Sequence, residues 1–492
     1  MQEQVLDVIV AGAGVLGRSL ALALAEAEPA LRVGLSGPGG PGWPGASQAA
    51  RASQAAASPA AGAMLGVLGE VTAGALRTAH GRLRVDLAVE AGRRWPAWRR
   101  RVRALAGSAA PADGFGRGTF VLLNAVGSTL DQQSLGAIGR AGAEHGLPVE
   151  EVDPLEVPGV AALDNDRPLR ALHLPDEAFL DARRWLETLD AALAALPNVV
   201  PLPAGRPLPH RDGYLLNTPE LRAAARIMVL ATGAWTTQLV EELDPDLTLL
   251  PVVCTEGTAV TLTAPAALPT VLRTPNRAYA CGLHAVPQAD GTWYVGASAN
   301  PALTPGTHPT PGALRFLLDA ALGQLHHGLA TARLLHVHHG NRPIGLDGHP
   351  LIGPTGRPGL WLLTGTHRDG LHGSPLIAHE LAAEILGAAP SAWLAPWRPD
   401  RTPIADWTAD EAVAEAAAHH HALTAESRMR PPLSGSWPRA LADAYHQQIA
   451  DAYRRLPDGF VLPPDLAPLA YEHGPALAKL LARTIGSRRI TP

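Results

Sequence analysis

Gly12, Gly14 and Gly17 constrain this chain more than any other residues. They follow at once on an apolar run at residues 5–10 and precede Leu20, Leu22 and Leu24, an order that reads as strand, tight turn and helix. Glycine here permits the turn and lets the backbone approach a pyrophosphate, whose charge the start of a helix favours. The spacing alone also fits an incidental glycine turn. The strand before it and the helix after it are what make it a dinucleotide-binding signature. On that reading Gly12, Ala13, Gly14, Val15, Leu16 and Gly17 are cofactor contacts. A second strand follows near residues 31–35, and the acid that ordinarily closes it to hold a ribose is missing. Ser36 stands there, and a hydroxyl bonds a ribose more weakly than a carboxylate and without a charge.

Strand-like runs recur at residues 120–123, 171–174, 227–231, 259–262, 293–296, 334–338 and 360–363, with helical stretches between several of them. One long helical pattern runs from about residue 70 to residue 106, and its arginines at 93, 94, 99, 100 and 101 read as a solvated face. Residues 37–62 form a loop of small residues in which ASQAA occurs at 46–50 and 52–56, too short a period for a repeat architecture. Mixed strands and helices around an N-terminal βαβ unit predict an α/β fold: a Rossmann-type nucleotide-binding domain with an inserted mixed or antiparallel sheet. The expected division is 1–80, 165–245 and 335–401 for the nucleotide domain, with 81–164 and 246–334 forming the substrate domain. After Pro390 come Ala, Glu and His segments broken by prolines, so 402–492 reads as an extra C-terminal helical tail. Its Trp407, Trp437, Tyr445 and Tyr453 are either core or anchors for a homo-oligomer.

Composition narrows the chemistry. Hydrophobic residues at 47% against 17% charged supply an ample core. Of the 40 lysines and arginines only Lys479 is lysine, which removes a P-loop and a Schiff-base pyridoxal site. A net charge of -5 argues against a nucleic-acid partner. Two cysteines, Cys254 and Cys281, are too few for a disulfide framework or a thiolate zinc cage. The opening residues lack a signal-peptide pattern and no apolar run reaches the length of a membrane span, so a cytoplasmic protein is expected. His336 and His338 share one strand face with His339 opposite, and residues 419–421 are a histidine run read as a solvated helix face. Neither set has a carboxylate or cysteine at a ligand spacing, so no metal is expected.

The second motif is Asn341-Arg342-Pro343-Ile344-Gly345-Leu346-Asp347-Gly348-His349-Pro350-Leu351-Ile352-Gly353, followed by Gly365-Thr366-His367-Arg368-Asp369-Gly370. With the glycine turn, these resemble the FAD-dependent amine and amino-acid oxidases of the D-amino-acid oxidase, glycine oxidase and sarcosine oxidase superfamily. That family carries R-P-x-x-x-D-G-x-P-x-I-G and then G-H-aromatic-R-N-G. Ala60-Ala61-Gly62-Ala63-Met64-Leu65 is similar to its A-A-G-M-L flavin loop with one extra residue, and Leu230-Ala231-Thr232-Gly233-Ala234-Trp235 to its strand-end A-x-G-A-W. Tyr294-Val295-Gly296-Ala297-Ser298 and Trp397-Arg398-Pro399-Asp400-Arg401 resemble two further family segments. In order, these cover residues 5–401; the tail has no counterpart.

The resemblance implies FAD held by the glycine turn, Ser36, Ala61, Gly62, Ala63, Met64, Val200, Ala231, Thr232, Gly233, Trp235, Arg368, Asp369, Gly370 and Leu371. It assigns Arg342 to a substrate carboxylate, a role that a bidentate guanidinium suits. An Arg342–Asp347 pair at the strand end is the purely structural alternative. Arg368, His284 and His367 complete the implied pocket; His284 replaces the family tyrosine, and Thr366-His367 replaces His-aromatic. Ser374-Pro375 reads as a helix N-cap and first-turn proline, directing N–H groups at the flavin. With no lysine before 479 and no cysteine near Arg342 in sequence, the pattern favours noncovalent FAD and a glycine-oxidase-like branch. The implied activity is oxidation of a C–N bond in a small amino acid or amine by hydride transfer to flavin N5, giving an imine and, from molecular oxygen, hydrogen peroxide. Two alternatives stay open: a dehydrogenase of the same fold acting on a tethered or modified-nucleoside substrate with a non-oxygen acceptor, and a non-catalytic flavin-binding assembly protein.

Overall fold

The computed structural model describes residues 3–37, 55–277, 281–427, 429 and 436–485. Most of the ASQAA duplication lies outside those residues. The strands divide between two sheets in alternating blocks along the chain. β1 (Glu3–Ala11) and β2 (Val33–Ser36) belong to the first sheet. β3 (Met64–Leu65), β4 (Gly116–Asn124), β5 (Glu150–Val152) and β6 (Pro168–Phe179) belong to the second. The chain then returns to the first sheet with β7 (Val199–Leu202), β8 (Arg206–His210), β9 (Gly213–Asn217) and β10 (Arg222–Leu230). It goes back to the second with β11 (Val252–Leu262), β12 (Val271–Arg273), β13 (His284–Pro287), β14 (Trp293–Gly296), β15 (Asn300–Ala302) and β16 (Leu334–Gly345). β17 (Leu351–Pro354) and β18 (Leu360–Thr364) close the first sheet.

The first sheet has the order β17-β18-β10-β1-β2-β7, and its inner pairs β18/β10, β10/β1, β1/β2 and β2/β7 are parallel. β1 is apolar on both faces from Val8 to Val10, as a parallel strand covered on both sides must be. Helix α1 (Val15–Ala27) makes the crossover to β2 and buries Leu20, Leu22 and Leu24. One face of the sheet packs with α1, α2 (Ala79–Ala106) and the helix Ala182–Ala194 around Trp95, Trp185, Leu189 and Leu381. The second sheet is mixed: β11 pairs antiparallel with β16, β14 and β15, whereas β12 pairs parallel with β4.

Four sequence expectations need revision. Residues 168–179 and nearly all of 334–345, from 335 on placed with the nucleotide domain, are strands of the second sheet, while α2, placed mostly with the substrate domain, packs on the nucleotide side. Sheet membership is decided by pairing with distant strands, which a local apolar run does not report. The helix read from residue 70 begins at Ala79, where Thr78 caps it by accepting from the Gly81 N–H. The tail is helical, but it is not a separate layer. Val413, Ala416, Leu466, Leu469 and Leu481 share one core with Leu6, Ile9, Leu230 and Ile344 of the sheets. His419 is fully buried, because it lies on the same helix face as Ala412 and Ala416, and that face docks.

Candidate active site

A cavity of about 1340 Å³ opens at the C-terminal ends of β1, β2, β10 and β18, between them and Gly257, His284, Tyr294 and Arg342 of the second sheet. It exceeds the roughly 300–1,000 Å³ of ordinary small-ligand sites and lies where doubly wound sheets bind dinucleotides. The glycine turn fits that use. Gly12 has φ +122°, and a Cβ on it would meet the Ala231 carbonyl oxygen at 2.2 Å. A Cβ on Gly17 would meet the Gly12 carbonyl at 1.8 Å, so both glycines let α1 seat close under the strand ends. The N-cap Gly14 offers no side-chain acceptor and no acid stands in the first turn of α1, which leaves its N-terminus electrostatically receptive to phosphate. Ser58 accepts from the Val15 N–H at 3.0 Å.

Gly12, Ala13, Gly14, Val15, Leu16, Ser36, Ala61, Gly62, Ala63, Met64, Ala231, Thr232, Gly233, Trp235, Arg368, Gly370 and Leu371 line this cavity. Three residues expected beside them do not. Gly17 sits beneath the turn and acts through close packing. Val200 is held in β7 opposite Gly34. Asp369 faces a smaller neighbouring cavity and pairs with Arg84 at 2.6 Å. The Ser36 hydroxyl donates to the Pro203 carbonyl at 2.9 Å, so only its lone pairs are open to a ribose. The helix Gly370–Ile385 starts one turn earlier than Ser374-Pro375 suggested, with Asp369 at its N-cap, and this brings its first residues, Gly370 and Leu371, to the cavity.

Arg342, Arg368, His284 and His367 all line the same cavity. The β11/β16 register sets Arg342 opposite Thr255, and its guanidinium lies over Gly257. Its Nη1 donates to the Ser298 carbonyl at 3.0 Å, and among the described residues no carboxylate pairs with it. The Arg342–Asp347 alternative is not realised. Asp347 is fully buried and accepts with both oxygens from the single Nη2 of Arg401, at 2.8 and 2.9 Å, and from the Ile404 N–H at 3.0 Å.

Both imidazoles are neutral. His284 Nδ1 lies 2.8 Å from the Gly282 carbonyl, so that nitrogen carries the proton and Nε2 keeps its lone pair toward Gly62 and Gly296. Burial pushes its pKa down to about 4. His367, at φ +51°, places Nε2 3.0 Å from the Thr255 hydroxyl; burial and the nearby Arg368, Arg84 and Arg342 push it well below its usual range.

Several neighbours were not among the residues expected at the site. Glu70 lines both cavities and accepts from Arg273 at 2.7 Å and Asn276 at 2.6 Å. Burial opposes its charge, but Arg273 and Arg368 hold its carboxyl down at about 2. Tyr294 stacks beside His284 and donates to the Ala60 carbonyl at 2.7 Å, pinning the loop before Gly62. Cys281, distant from Arg342 in sequence, lines the cavity with its Sγ 3.8 Å from Arg368 Nη1. His338 is committed elsewhere, with Nε2 2.7 Å from the Thr261 hydroxyl and Nδ1 3.0 Å from Arg183.

The family model described as "DAO: FAD dependent oxidoreductase" matches residues 7–384. Glycine oxidase of Pseudomonas aeruginosa is 32% identical over 174 residues, 35% of this chain and 45% of that protein. The bifunctional protein ThiO/ThiG of a Nostoc strain is 31% identical over 175 residues, 25% of its length. The matches thus span less than half of either curated relative. Among solved structures, glycine oxidase from Geobacillus kaustophilus aligns with TM-score 0.66 and 24% identity over 81% of this chain and 99% of that one. Iminodiacetate oxidase from Chelativorans sp. BNC1 aligns with TM-score 0.62 and 21% identity over 80% and 98%. These structural likenesses concern the fold.

Proposed function

The chain belongs to the DAO family of FAD dependent oxidoreductases, and from that premise we propose that it oxidises the C–N bond of a small amino acid or amine carrying a carboxylate. The observation that carries this reading is Arg342, a guanidinium in a cofactor-sized cavity whose side-chain hydrogen bond, among the described residues, goes to a backbone carbonyl and not to an acid. A half-buried cation of this kind is compensated when a ligand brings the anion, and the planar fork fixes the ligand's orientation as well as its charge. The neutral His284 and His367 place no positive charge against an incoming amine and leave the His284 Nε2 lone pair to accept from it. Tyr294 and the loop through Gly62 line the site on the second-sheet side, tied together by the Tyr294–Ala60 hydrogen bond. Backbone at the start of the helix Gly370–Ile385 would favour negative charge developing beside it.

The glycine turn and the 61–64 loop would hold FAD, which would supply a two-electron acceptor for the α-carbon hydride; with molecular oxygen as the terminal acceptor the products would be an imine and hydrogen peroxide. The test is direct. Purified protein should be yellow, should release its flavin on acid precipitation, and should bleach anaerobically with a small amino acid; peroxide should form in air. A colourless protein that refuses added FAD, or bound flavin that none of the amino acids bleaches, would overturn the proposal. Bleaching without peroxide in air points instead to a different electron acceptor.

A further inference from the structure

We propose that Asp465, contributed by the C-terminal tail, is a specificity-determining residue: together with Glu70 it occupies Arg368 and restricts the site to substrates bearing a single carboxylate. This rests on the reading of Arg342 as the carboxylate anchor. It also concerns a residue outside the stretch that matches the family, which ends at 384.

Arg368 lines both the large cavity and the smaller one beside it. Its Nε lies 3.8 Å from Glu70 Oε2, and its Nη2 lies 3.8 Å from Asp465 Oδ1. Burial works against its charge, yet Cys281, Glu70, Asp465 and Asp369 raise its pKa overall. Glu70 is at the same time the partner of Arg273. Arg273 and Arg368 therefore face Glu70 and Asp465, with Asp369 beside them already paired to Arg84; burial raises the Asp465 pKa, and Arg368 and Arg84 favour its charged form against that. Taking away the Asp465 charge leaves both guanidiniums to share Glu70, with one positive charge uncompensated at the cavity wall. A second substrate carboxylate would then find a second cation; in the intact protein it finds a wall already neutralised, and pays its desolvation for little return.

The tail holds Asp465 in place from both sides. Leu462 and Leu466 are fully buried, Pro464 precedes it in a 3-10 turn, and Tyr453 donates to the Leu462 carbonyl at 2.8 Å. The carboxylate is thus presented by a rigid segment of the shared core, not by a loose terminus. Its separations from Arg368 exceed hydrogen-bond length, so substituting it removes a charge without orphaning a direct bond.

The experiment titrates the flavin-loaded full chain with propionate and with malonate, which differ by one methyl for one carboxylate, and reads the perturbation of flavin absorbance. The wild type should bind propionate at least tenfold more tightly than malonate. Asp465→Asn should tighten malonate about tenfold, the equivalent of one modest charge-assisted contact, with propionate changed less than about twofold. Adding Arg368→Gln to that variant should abolish the gain. Equal binding of the two anions by the wild type overturns the inference even if no variant folds. So does an unchanged preference in a folded Asp465→Asn, or a malonate gain that survives Arg368→Gln. Arg342→Gln separates the two claims. Retained propionate binding there overturns the functional reading; lost binding there, with an unchanged preference in Asp465→Asn, overturns only the role given to the tail.

Discussion

Gly257 offers a way to move Arg342, the proposed substrate anchor, without touching its charge. A Cβ built on Gly257 would lie 2.5 Å from Arg342 Nη2 and 2.7 Å from both Cζ and Nη1. Ordinary contact begins near 3.4 Å, so Gly257→Ala displaces the guanidinium by roughly 1 Å. The atoms met belong to the far end of a flexible side chain, and β11 is ordinary extended backbone, so the fold should absorb the change for less than about 1 kcal/mol. Catalysis should not. A displacement of that size in a positioning group costs on the order of 10²-fold in rate, and the Nη1 bond to the Ser298 carbonyl would be strained in the same movement. The assay is kcat/KM for the best amino-acid substrate, beside flavin content and melting temperature. We expect full flavin, a melting temperature within about 2 °C of wild type and a fall of between tenfold and a hundredfold in kcat/KM. Full activity in the variant would refute the placement of substrate against Arg342, because an anchor displaced this far would not hold the substrate as before. Loss of flavin along with activity would instead mean that Gly257 supports the cofactor.

Ser36→Ala should cost about 1–2 kcal/mol in stability by leaving the buried Pro203 carbonyl unpaired, yet change FAD affinity less than about threefold by equilibrium titration, since the hydroxyl proton is already committed. Asp347→Asn should destabilise the protein by about 3–5 kcal/mol in denaturant melts, because Arg401 loses its buried partner, while turnover per bound flavin stays near wild type. Stability should fall in two acid windows. Burial depresses His284 to about 4 and His338 to about 3 from 6.5, so between pH 6.5 and 4 the unfolded chain takes up protons that the folded one refuses, and stability drops as pH falls. Glu70 is held at about 2 against an ordinary 4.5, so its contribution is present above pH 4.5 and is lost as pH falls toward 2. A melting temperature flat from pH 6.5 to 4.5 would contradict the neutral burial of these imidazoles.

The cofactor end was legible because its requirements are local. Gly12 and Gly17 are demanded by backbone contacts within one strand–turn–helix unit, and the unit occupies consecutive residues. The start of the helix Gly370–Ile385 was misjudged by one turn for a related reason. Pro375 reads as a first-turn residue, whereas the helix tolerates it further in, with Asp369 at the N-cap. The sheet boundaries were less legible, since β6 and β16 are apolar runs like any other until their partners β4 and β11 are known.

The substrate end divides along the same line. Arg342 was legible from the motif around it, but its electrostatic state depended on whether Asp347 took it, and Arg401, more than fifty residues on, settles that by taking Asp347 itself. Arg368 was legible too, yet its state depends on Glu70 and on Asp465, which stands 97 positions later in a tail with no motif. Two arginines that look alike in sequence thus differ in what they can do: one keeps its charge open to a ligand, and the other has it answered by the protein. That difference lies in long-range ion pairing, and it makes Arg342 the guanidinium on which substrate binding should depend and Arg368 the one that shapes which acids are admitted.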